Sequence, residues 1–100
     1  MSEVHDPAWC VLAPGALAVH EWDDELVVYD DLDGHTHHLA PLAGKVLLAL
    51  LECRGGLSDA MLIERVGQLL AIDDAQVLAP AVEEALDELG RLALIAPAAA

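Results

Sequence analysis

A chain of 100 residues, 56% of them hydrophobic and with a mean hydropathy of +0.45, holds enough apolar material for one modest core and is too apolar to be disordered. Eighteen acidic residues against four basic ones give a formal charge of −14. That nearly removes the Lys and Arg a phosphate backbone requires, so nucleic acid is a poor partner; the acidic surface either favours a basic protein or peptide or only keeps a small apolar protein in solution.

The N-terminus carries Glu3 and Asp6 instead of a basic segment leading into an apolar run, so no secretory signal is read there. Met1 to Pro7 reads as a loose leader, within a flexible stretch over 1–8. Trp9 to Leu12 predicts a short edge strand, and Ala13-Pro14-Gly15 a turn. Leu17 to Trp22 predicts a strand, Asp23-Asp24 a tight turn, and Leu26 to Tyr29 a β-branched and aromatic strand. Asp33-Gly34 is a hairpin signal, since Gly accepts the positive φ required there. His35 to Leu39 returns as a third strand, completing an antiparallel meander.

The period then changes. Pro41 suits the first turn of a helix; Leu42, Val46, Leu47 and Leu50 recur at helical spacing; Gly55-Gly56 ends the run. Ser58 is a cap for a second helix, with Leu57 and Leu62 placed as a hydrophobic staple and Val66, Leu69 and Leu70 continuing its apolar face. Asp73 or Asp74 caps a third helix that ends near Leu89, with Gly90 behind it. Pro80 either kinks this helix or sets its regular start near Ala79. Leu78, Val82, Leu86 and Leu89 form its core stripe. Val77, Ala81 and Ala85 form a neighbouring row of mostly small residues. Glu83, Glu84, Asp87 and Glu88 lie mainly away from both. Small residues beside a sheet edge leave room for another backbone, or else pack closely on the domain's own sheet. Leu94-Ile95 closes the core, and 96–100 reads as a frayed end. The fold class is α+β and winged-helix-like, a three-stranded antiparallel sheet followed by three helices.

Candidate chemistry is sparse. His35 and His37 share a strand face, with His38 opposite and His20 on a nearby strand, and such a pair with a carboxylate is a possible zinc site. No helix supplies a complementary His or Cys at ligand spacing, and His37 shares its face with the core candidate Leu39. A partly buried, hydrogen-bonded His37 is therefore the expectation. Asp31-Leu32-Asp33-Gly34 lacks the downstream ligands and closing Glu of a calcium loop. No Gly-x-Ser-x-Gly, P-loop or dinucleotide pattern occurs, so no enzyme activity, cofactor or metal is assigned. Cys10 and Cys53 form no Cys-x-x-Cys and read as reduced thiols. The longest apolar stretch, Val46 to Leu51, is too short to span a bilayer, and a cytoplasmic location without membrane contact is the expectation. A DNA-reading helix is not supported either: the second helix offers Arg65 and Gln68, and the third exposes acids.

The run Val19-His20-Glu21-Trp22-Asp23-Asp24-Glu25-Leu26-Val27-Val28-Tyr29, the segment Gly34-x-Thr36-His37-x-Leu39 and the helix Pro41-Leu42-Ala43-Gly44-Lys45-Val46-Leu47 resemble small PqqD-like proteins. The likeness is to the subgroup found with HPr-kinase-related proteins and described as peptide chaperones, and it covers 9–95. It implies a non-enzymatic module that recognises a ribosomally made precursor peptide and presents it to a modifying enzyme or HPr-kinase-related protein. It further implies that the leader peptide adds as a strand to the third sheet strand, in a groove against the third helix. On this chain those positions are His35, Thr36, His37, His38 and Leu39 on the strand, and Val77, Ala81 and Ala85 on the helix. Ala40 departs from the pattern, which calls for a capping residue before Pro41. The alternative reading is an acidic adaptor that docks such an enzyme without gripping a peptide.

Overall fold

The computed structural model describes residues 8–23, 25–53 and 56–98, so the expected leader over 1–7 lies outside it. Alternating side chains between 17 and 39 build its central sheet. The strands β2 (Leu17–Trp22), β3 (Glu25–Asp30) and β4 (His35–Leu39) pair antiparallel in the order β2-β3-β4. The register sets Val19, Val28 and His37 in one cross-strand row and Glu21, Leu26 and Leu39 in the next. Leu26, Val28 and Leu39 are buried on the inner face, while Trp22, Tyr29, Thr36 and His38 are exposed on the other. Both turns use positive φ, at Asp23 (56°) and Gly34 (73°); Asp24 is outside the described residues. The Gly34 N–H donates to the Asp30 carbonyl at 2.8 Å. The buried Asp30 carboxylate accepts from the Leu32 N–H at 3.0 Å, so its polarity is satisfied inside the turn.

Of the three helices, the first packs on the inner face, and the second and third pack on the first. The first, α1 (Pro41–Glu52), follows β4 directly; Ala40 supplies no side-chain cap, and Pro41 at the first position removes one of the N–H groups that would need one. Ala43, Val46, Leu47, Ala49 and Leu50 are buried, which makes α1 the centre of the core. In α2 (Asp59–Leu70) the Ser58 Oγ accepts from the Met61 N–H at 3.3 Å, as the capping pattern predicts. Leu57 and Leu62, the staple pair, are both buried.

The last helix, α3 (Ala75–Arg91), starts at Ala75 and not near Ala79, with Asp74 accepting from the Gln76 N–H at 3.0 Å. Pro80 sits in its interior. Pro80 and Gln76, the residue whose carbonyl loses its helical partner, are both exposed, so the missing bond falls on the solvent side and the helix continues. Gly90 is inside the helix instead of behind it. Closure comes from Ala93 at a φ of 59° and a Leu94 N–H to Leu89 carbonyl bond of 3.1 Å.

The strand expected at the edge is central. β1 (Ala8–Val11) lies between β5 (Leu57–Ser58) and β6 (Ile95–Pro97) in a second antiparallel sheet. The Trp9 indole Nε1 donates to the Asp59 carboxylate at 2.6 Å, tying this sheet to the start of α2. Ala96 and Pro97, expected in a frayed end, pair with Cys10 and Trp9. Leu94 and Ile95 are buried and close the core as expected. The architecture is α+β and winged-helix-like, with the meander as the wing and three helices behind it.

Candidate functional site

β4 hydrogen-bonds to β3 on one side and has no strand neighbour on the other among the described residues. A strand edge of this kind offers backbone N–H and C=O groups to an incoming chain. Alternation sends His35, His37 and Leu39 toward the inner face and Thr36 and His38 toward the outer one. Leu39 is fully buried, so it can serve an added strand only through its backbone; Thr36, His35 and His38 are exposed.

The end of β4 turns into α1 beside the flank of α3. Between them runs a groove of about 180 Å³, lined by Ala40, Leu42 and Ala43 at the strand–helix junction and by Ala81, Glu84, Ala85 and Glu88 of α3. Ala43 and Ala85 are buried and form its floor; Ala81 and Leu42 are half-buried on its sides. Two of the three helix residues singled out in the sequence therefore line a groove between α1 and α3 that meets the end of β4 at Ala40, while none of His35–Leu39 lines it. The third, Val77, is 59% exposed at the N-terminal end of the same flank and is not part of the lining.

Glu84 and Glu88 were expected to lie mainly away from the small-residue row, yet both border the groove. The signal was available: 81, 84, 85 and 88 fall at helical i, i+3 and i+4 spacings from one another. The groove has small apolar walls and two carboxylates at its rim. It suits a main chain carrying small, apolar or basic side chains.

The histidines do not converge. The rings of His35 and His37 stand edge to face with centroids 6.3 Å apart. His35 turns to Asp33: its backbone N–H donates to one carboxylate oxygen at 2.9 Å, and its Nδ1 lies 3.3 Å from the other. That N–H, with the imidazole charge behind it, holds the Asp33 carboxyl below its ordinary 3.8. His37 is half-buried, but its Nε2 is buried and no described protein group bonds to it, contrary to the expectation of a hydrogen-bonded ring. The hydrophobic row Val19–Val28–His37 supplies no donor or acceptor side chain beside it. Among the described residues, no three His, Cys, Asp or Glu side chains gather into a metal-binding group, and no helix is long and apolar enough to cross a membrane.

No family model and no curated protein matches this sequence. A solved structure does: TbiB1 in complex with the TbiA(beta) leader peptide, at a TM-score of 0.63 and 16% identity, over 85% of this chain and 94% of that one. The chain therefore shares its fold with TbiB1, a protein solved with a leader peptide bound.

Proposed function

We propose that this chain is a PqqD-like, non-enzymatic peptide-recognition domain over residues 9–95, which binds a precursor peptide by strand addition and presents it to a modifying enzyme. One observation carries the reading: β4 has an open edge, and the groove where it runs into α1 has Ala81 and Ala85 on its α3 wall. Backbone bonds to His35–Leu39 supply affinity independent of sequence, and the groove selects side chains. Glu84 and Glu88 add a preference for basic residues at the positions facing α3. The shared fold with a leader-peptide complex supports the reading. The placement among HPr-kinase-related systems rests on the sequence resemblance alone, and a cytoplasmic location rests on the reading of the N-terminus, the two thiols and the short apolar stretches.

Calorimetric titration of the folded domain with peptides encoded beside its gene tests it. Saturable binding by one of them is the expected result, and no binding by any of them counts against the reading. The −14 charge favours the second reading, an acidic adaptor that docks a modifying enzyme without gripping a peptide. Enzyme binding that needs no peptide and survives Ala81→Leu would select it.

A further inference from the structure

A larger groove lies at the N-terminal end of α3, where it meets α2. It encloses about 520 Å³ between α2 and the start of α3, against about 180 Å³ for the groove beside β4. Its apolar wall is Ile63, Ile72 and Leu78, of which Ile72 is 37% exposed, Ile63 is half-buried and Leu78 is buried. Its charged lining is Glu64 and Asp73, both exposed, and it includes no Lys or Arg. Arg65, next along α2, points elsewhere, with its guanidinium 3.9 Å from Glu52. Asp74 caps α3 and offsets the positive end of its dipole, which leaves Asp73 free of that duty.

We infer that this second groove is a docking surface for a basic amphipathic helix of a partner protein, with apolar side chains on Ile63, Ile72 and Leu78 and flanking Lys or Arg on Glu64 and Asp73. Charge selects this occupant. A second copy of the chain would bring another −14 and its own Glu64 and Asp73 to the contact, and like charges there oppose association. An apolar anchor in the groove supplies binding energy, and the acidic rim sets the partner's sign and speeds its approach. The lining of this second groove shares no residue with that of the groove between α1 and the middle of α3.

Methyl-resolved NMR of the full chain, titrated with a helix of about 14 residues built from Leu and Lys and with its Leu–Glu counterpart, tests the inference. The Lys peptide is expected to shift the Ile63, Ile72 and Leu78 methyls saturably, and more weakly at higher salt; the Glu peptide should leave them in place. Glu64→Lys combined with Asp73→Lys should raise the Kd at least tenfold, about 1.4 kcal/mol, and Ala60→Arg, at an exposed lining position, should do the same without reversing an acid. Glu83→Lys, exposed on α3 outside the lining, should change it less than twofold. Shifts spread evenly over the acidic meander, or unchanged affinity in both the double variant and Ala60→Arg, would overturn the inference.

Discussion

Gly44 of α1 lies so close to Leu26 of β3 that a Cβ on residue 44 would stand 2.9 Å from the Leu26 Cβ. This contact seats α1 on the meander and sets the strand–helix junction that forms one side of the groove. Ala is the better helix former by about 1 kcal/mol, but the neighbour is a Cβ fixed to its strand, not the end of a flexible chain. Gly44→Ala is expected to destabilise the domain by about 1–3 kcal/mol in urea titration, because overpacking outweighs propensity. A more stable variant would show that α1 can slide without cost.

Ala81→Leu is the cleanest change in the proposed site. Ala81 is half-buried on the groove wall, so the added side chain projects into the groove and stability should change by ~1 kcal/mol or less. Peptide affinity should fall at least tenfold by calorimetry. Ala85 is 5% exposed, so Ala85→Leu should disturb the floor and the fold together, by about 1–3 kcal/mol. A loss of folding in Ala81→Leu would place that residue in the core instead.

His37 separates packing from polarity. Truncation by His37→Ala should cost about 1–2 kcal/mol through lost contacts. His37→Leu keeps the bulk and removes the buried Nε2, so it should leave stability unchanged or raise it by up to ~1 kcal/mol. Equal losses in both variants, read from denaturation midpoints, would show that the ring nitrogen is bonded in solution.

Asp33 gives a pH dependence with a defined sign. Its folded carboxyl titrates below 3.8, held there by the His35 N–H first and the imidazole charge second. A depressed folded value means that its small contribution is present above the unfolded value and is lost as pH falls through the folded one. Carboxyl-resolved NMR should find Asp33 titrating below its unfolded value, and His35→Ala should raise it only partly, since the backbone N–H remains. An Asp33 titration at or above 3.8 in the parent chain would contradict this contact.

Most of the meander and all three helices were legible because period and punctuation agreed. Leu17–Trp22 and His35–Leu39 fall where alternation put them, and Pro41, Ser58 and Asp74 sit at helix starts. The second sheet was not legible. Its members are two to four residues long and come from distant parts of the chain, so no local pattern announces that Trp9 pairs with both Leu57 and Pro97. The groove was half legible: the small-residue row pointed to Ala81 and Ala85, but the closeness of Glu84 and Glu88 to Ala40 and Leu42 depends on how α1 and α3 pack. The unpartnered His37 nitrogen was hidden for the same reason, since strand alternation gives a side chain's face and not its partners.

Backbone amide exchange of the domain, with and without the precursor peptide encoded beside its gene, tests strand addition to β4 most directly. New protection of amides within His35–Leu39 is expected, with peptide shifts extending to Ala81 and none at Trp22 or Tyr29 on the outer face. Saturable peptide binding that leaves the β4 amides unprotected would contradict it.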